Sequence, residues 1–271
     1  MSSAMRVSPS IVHALIILSF GLLSGCGGSI QEAPARPAAS AEVRPDEANA
    51  HAYVVQDVAG STVEGRVLFQ GKVPPPKQVQ VTQDSGICGK QHEIYTARVR
   101  NGGVDEAVVW IDDIERGKPF AFPPAAIRQK GCTFLPHVSI MAPGEIETRS
   151  EDPIPHNVHT YSQHSREYNE SMNQLRSDIS LSFLRPDVIS VRCDLHGWMQ
   201  AYVVVAKNPY YAVTSQGGKF RIDGVPPGHY HMKVWSESLI EDDSEIVVEA
   251  GKPTHIDFTL RSQTTQTPAG N

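Results

Sequence analysis

Apolar side chains in this chain recur at alternate positions within short runs. The first run lies at 62–69, where Val63, Gly65, Val67 and Phe69 alternate with Thr62, Glu64, Arg66 and Leu68 before Gln70-Gly71 and the Pro74-Pro75-Pro76 turn. A period of two predicts a half-buried strand, and the Gly and Pro residues predict its end. Further runs at 107–111, 138–141, 179–183, 188–193, 201–206, 219–222, 229–235, 246–248 and 255–260 read the same way, many bounded by Gly, Pro, Asn or Asp. Only the polar stretch 162–175 is left for a helix or a long loop. Short strands at these spacings predict an all-β chain folded as a sandwich.

The ends of the chain do not fit that pattern. The apolar run 11–23, interrupted by His13, Ser19 and Gly21, is too short to span a bilayer. Arg6 precedes it and small residues follow, the layout of a secretory signal over 1–25. Leu23-Ser24-Gly25-Cys26 resembles the lipobox of bacterial lipoproteins. That resemblance implies lipidation of Cys26 and, with Gly27 rather than Asp next, a lipid anchor in the outer membrane facing the periplasm. A plain signal peptide with a chance cysteine is the alternative. Residues 26–59, rich in Ala, Pro, Glu and Ser, read as a disordered tether that holds the folded part about 30 Å from the lipid. Residues 262–271 read as a disordered tail.

Composition narrows the function. With 24 Lys and Arg against 30 Asp and Glu the net charge is -6, which excludes a basic nucleic-acid binder. The four cysteines include no C-x-x-C pair for a zinc ribbon or an attached haem, so each needs its own explanation. G-x-S-x-G, phosphate-loop, G-x-G-x-x-G and H-E-x-x-H motifs are missing, and a non-enzyme is expected.

One constellation carries chemistry. Cys193-Asp194-Leu195-His196-Gly197-Trp198-Met199 ends one predicted strand and leads into the next, and Pro155-His156-Asn157-Val158-His159 stands about forty residues earlier. Together they offer one thiolate, two imidazoles and one thioether, the ligand set of a blue-copper site. Cys193 continues the inward face of Ile189 and Val191, so its sulfur points into the sandwich. The short loop brings His196 and Met199 round the same point, and the fourth ligand must come from elsewhere in the chain. A β framework holding all four limits rearrangement between Cu(I) and Cu(II).

These residues resemble the cupredoxin family, most of all its amicyanin and plastocyanin members. Pro155-His156-Asn157-Val158 and C-x2-H-x2-M match the two ligand segments, and Phe134-x-Pro136, Val138 and Pro143-Gly144-Glu145 match the strand and turn before them. The likeness covers 104–207 and implies a Greek-key sandwich with one type 1 copper held by His156, Cys193, His196 and Met199. It implies that Asn157 ties the ligand segments together and that His159 is not a ligand. It also implies single-electron transfer through His196, with Leu195, Gly197 and Trp198 as an apolar docking patch for a redox partner such as a cytochrome c or a periplasmic oxidoreductase. Gly197, where amicyanin has Pro, and the long insert 164–177 depart from the pattern. A copper site without fast electron transfer, a metal-free core with buried Cys and His, and a non-redox lipoprotein that stores copper or binds a surface partner are the alternatives.

In an exported chain, Cys88 and Cys132 are expected to form a disulfide rather than remain buried thiols, closing a loop worth about 4 kcal/mol in the chain-entropy model. His229 and His231 share a strand face expected to be solvated, and His137 is expected to be packed or at the surface. His164 and Met172 read as loop residues rather than a second, copper-loading site. Residues 214–230 run turn, strand, Pro-Pro-Gly turn, strand, and resemble the carboxypeptidase-regulatory, transthyretin-like β-sandwich module through Gly218-Lys219-Phe220 and Gly224-Val225-Pro226-Pro227-Gly228-His229-Tyr230. The likeness covers 209–260, short for a complete sandwich, and 63–81 looks like its opening strands. We therefore expect the 104–207 unit to be inserted between 60–103 and 208–261. The alternative is that 60–95 adds edge strands to the first sandwich.

Overall fold

The computed structural model describes residues 53–262 of the chain, which are β throughout apart from one helical turn at Ser85–Cys88. The expected signal peptide, Cys26, most of the tether and residues 263–271 lie outside the described residues. Among those described, no helix is long and apolar enough to cross a membrane.

Two sandwiches form, each around its own core. In the first, the four-stranded sheet Phe134–Leu135, Ala126–Gln129, Gly144–Ser150, Asp178–Phe183 packs on the five-stranded sheet Val138–Met141, Gln200–Val205, Asp187–Arg192, His156–Tyr161, Asn169–Met172. Alternation decides which side chains meet: Ile146, Thr148 and Ser150 point inward while Glu145, Glu147 and Arg149 face water. Ile127, Phe134, Ile146, Leu181 and Phe183 of one sheet pack with Val158, Met172, Ile189, Val191 and Val203 of the other. Each such side chain contributes about 1.5–3 kcal/mol by burial.

In the second sandwich, the sheet Tyr211–Val213, Val108–Ile111, Gly228–Trp235, Asp242–Val248 shares a core with a sheet built round Ser61–Gln70. That long strand pairs with Lys219–Val225, Thr254–His255, Phe258–Ser262 and Gly103–Val104. Strands from the two ends of the described chain therefore share one sheet, while residues 126–205 fold apart between them in sequence.

Four expectations on element boundaries need correction. The strand Val108–Ile111, expected in the 104–207 unit, pairs with Tyr211–Val213 and Gly228–Trp235 instead. Val109 and Ile111 fill the second core, and Val108 faces Val138 and Val204 at the junction of the sandwiches. The expected tether ends before residue 59, because Val54–Val55 pairs with Arg116–Gly117 and the Tyr53 ring packs on Phe120 and Tyr210. Within 162–175 no helix forms; Asn169–Met172 is an edge strand beside His156–Tyr161. At the other end, Ser262 closes the strand Phe258–Ser262 rather than opening a tail.

Asp112, at the junction, holds Lys207 at 2.5 Å and Lys233 at 2.9 Å and accepts the Trp110 indole N–H at 3.0 Å. Burial alone pushes its pKa up, but the two ammonium groups and the indole prevail and bring it from 3.8 to about 2. A folded pKa below the unfolded one stabilises the protein above the unfolded value and is lost as pH falls through the folded one. Asp112→Asn should cost about 1 kcal/mol at pH 7, after discounting for solvent screening. The difference between the urea midpoints of the two proteins should shrink as pH falls from about 4 to about 2; a difference constant over that range would show that the carboxylate charge is not responsible.

Candidate metal centre

The strand Asp187–Arg192 alternates with Ile189 and Val191 inward, and Cys193 follows on the same face, 3% exposed. Two backbone bonds close the loop after it: Cys193 N–H donates to Met199 O at 3.3 Å, and Met199 N–H donates to His196 O at 2.8 Å. His196 and Met199 are thereby turned into the core, where both are buried. His156, the first residue of the neighbouring strand, is buried beside them.

The structure brings three donor atoms of the expected ligands together. The Nδ1 atoms of His156 and His196 are 3.0 Å apart, and Cys193 Sγ lies 3.9 Å from the first and 3.8 Å from the second. A point in the plane of that triangle lies about 2.0 Å from each nitrogen and about 2.2 Å from the sulfur, within the range of metal bonds to imidazole and close to that for thiolate. Met199 belongs to the same loop and core cluster. Among the described residues, every group of three or more His, Cys, Asp or Glu donors falls at this one place.

Two carboxylates that sequence reasoning missed hold the rings from behind. His156 Nε2–H donates to Asp152 Oδ2 at 2.9 Å, and His196 Nε2–H donates to Asp84 Oδ2 at 3.2 Å. Each ring thus turns its Nδ1 lone pair toward the shared point, as metal-bound histidines do when a carboxylate fixes the tautomer. Burial lowers the His156 pKa against the pull of Asp152, and nearby His196 lowers it further. Burial raises that of Asp152, but the backbone N–H groups of Cys132 and Gly131, with His156, bring it below the usual carboxylate value. Two facing lone pairs at this separation repel unless a proton or a metal cation lies between them. The donor set fits a soft or borderline metal ion.

Asn157 ties the ligand segments together: its Nδ2 donates to Asp194 Oδ2 at 2.8 Å and its Oδ1 accepts Asp194 N–H at 2.6 Å. His159 lies outside the triangle, 3.0 Å from Asp194. His137 bridges Gln200 O and Glu237, while His229 and His231 sit on an exposed face. Met172 is in the core and His164 on the surface beside Asp187, so they do not form a site.

His196, expected as the electron exit, is covered. Its side chain is 1% exposed, because the hairpin Lys77–Gln80, Gln91–Ile94 and the turn between them cover the loop. Gln83 Nε2 donates to Leu195 O at 2.6 Å, Asp84 reaches the His196 ring, and His92 stacks on Trp198 at 5.0 Å. A disulfide between Cys88 and Cys132 fastens this cap. Leu195 and Gly197 remain exposed, and Trp198 is half-covered.

Fold and site together define an all-β protein of two sandwiches, one of which carries a buried His2Cys donor triangle. The family model of the carboxypeptidase regulatory-like domain matches residues 198–261. No curated protein matches the chain. Among solved structures, it is similar to a methionine-to-alanine mutant of amicyanin in its Cu(I) form, at 18% identity over 32% of this chain and 85% of that one, TM-score 0.28. A purple cupredoxin from Nitrosopumilus maritimus is 18% identical over 30% of this chain and 99% of that one, TM-score 0.27. The copper-containing nitrite reductase of Thermus scotoductus is 18% identical over 33% of this chain and only 24% of its own, TM-score 0.29. Likenesses of this extent do not bear on function; the donor geometry does.

Proposed function

We propose that the 126–205 sandwich is a cupredoxin-type copper domain and that the protein carries single electrons. The observation that supports this best is the triangle of His156 Nδ1, His196 Nδ1 and Cys193 Sγ with a carboxylate behind each ring. Copper held by these residues and Met199 supplies a one-electron couple. The chain's own part is to keep the ligands still: Asp152 and Asp84 orient the rings, Asn157 locks strand to loop, and the apolar core keeps water out. On this reading the protein is exported, anchored through Cys26 to the outer membrane, and exchanges electrons in the periplasm with a cytochrome c or another oxidoreductase. No catalytic role is proposed.

The covered His196 favours a second reading, in which the protein holds copper without passing electrons rapidly. Voltammetry of the copper-loaded protein separates the two. A reversible one-electron wave supports the carrier; copper that stays bound with no wave supports storage. In the carrier, Met199→Gln should retain copper and lower the midpoint potential, because an amide oxygen favours Cu(II) more than a thioether does. An unchanged potential would show that Met199 does not face the metal.

A further inference from the structure

The disulfide that fastens the cap lies against the metal donors. The sulfurs of Cys88 and Cys132 and a ring nitrogen of His196 all lie within 4.8 Å of one another, and so do the donor atoms of Cys132, Asp152 and His156. Cys132 is fully buried and Cys88 is 5% exposed. His196 therefore belongs to two donor groups, one with Cys193 and His156 and one with the two disulfide sulfurs.

Position matters because of what reduction does to the donor set. A disulfide sulfur is a poor metal ligand, while a thiolate is a strong and soft one that selects Cu(I) and Zn(II). A dithiol reductant gives the Cys88–Cys132 bond two electrons and two protons and becomes a disulfide itself, leaving two thiols. Each thiol releases its proton when a metal ion binds. We propose that Cys88 and Cys132 form a second, redox-controlled half of this centre. Oxidised, the chain offers one thiolate and two imidazoles; reduced, it adds beside them a second group, the Cys88 and Cys132 thiolates with a ring nitrogen of His196, which retains a soft cation.

The proposal rests on the reading of the centre above for its oxidised state only. The test uses the full chain with Cys26→Ser, so that Cys193 is the one free thiol, and Co(II) as the probe. Sulfur-to-cobalt charge-transfer absorption is recorded before and after reduction, once the reductant has been removed without air and three thiols have been counted with a thiol reagent. The band should grow at least about twofold, as the Cys88 and Cys132 thiolates bind cobalt in addition to that of Cys193, and the growth should vanish when Cys88→Ser and Cys132→Ser are combined. A reduced chain with three counted thiols and no growth would overturn the proposal, whether the cap swings away or the thiols stay protonated. Growth that persists in the double variant would overturn it too. A band absent from the oxidised chain but present after reduction would count against the one-thiolate centre, while supporting the reduction-dependent site.

Discussion

Cys193→Ser should leave a folded protein that no longer develops an intense visible band with Cu(II). Cys193 is buried beside two ring nitrogens, and a serine hydroxyl has almost the same shape, so the core should lose little stability. The chemical change is far larger. A thiolate gives Cu(II) an intense charge-transfer transition and a soft ligand, and a hydroxyl gives neither. His156 and His196 remain, so copper should still bind, but as a weakly coloured tetragonal complex. The absorbance per copper in the visible should fall at least about tenfold. Full colour in the variant would place the chromophore elsewhere.

Gly65→Ala should be the most damaging single methyl in the second sandwich. Gly65 lies in the middle of Ser61–Gln70, where a Cβ would fall 1.7 Å from the carbonyl oxygen of Ile256. That oxygen belongs to the short crossing between Thr254–His255 and Phe258–Ser262, both paired in parallel with the same strand, and Ile256 N–H donates to Glu64 O at 3.0 Å. Neither backbone can withdraw without breaking ladder bonds. A cost of about 3 kcal/mol is expected, at the upper end for overpacking. Urea unfolding followed by fluorescence measures it. An unchanged midpoint would mean that the C-terminal strands do not pack on 61–70 as described.

How much of this was legible in the sequence differs from element to element. The alternation Ile189, Val191, Cys193 placed the sulfur in the core, and the two motifs named the histidines that the structure brings beside it. Strand 61–70 was legible because its inward positions are apolar at every second residue. The run at 107–111 was misassigned because it is apolar on both faces, Val109 toward one core and Val108 toward the junction, and periodicity does not say which sheet a strand joins. Asn169–Met172 was missed because an edge strand buries little; Met172 is its one buried side chain.

The carboxylates were hidden for different reasons. Asp152 stands four residues before His156 across two prolines, a proximity that could have raised the question. Asp84 is 112 residues from His196 and meets it only because the hairpin folds over the loop. Counting cysteines suggested the pair Cys88 and Cys132 but not that their sulfurs would sit beside the ligand rings. The burial of His196 follows from the same cap, which the residues around the ligand loop do not announce.

The claim on which the rest depends is that His156, Cys193 and His196 close on one copper ion as a trigonal His2Cys centre. The most direct check is the electron paramagnetic resonance spectrum of the full chain after one equivalent of Cu(II). We expect a small copper hyperfine splitting, the mark of a highly covalent Cu–thiolate bond, with all the added copper in one species. A large splitting of the ordinary tetragonal kind, or several species of partly bound copper, would contradict it.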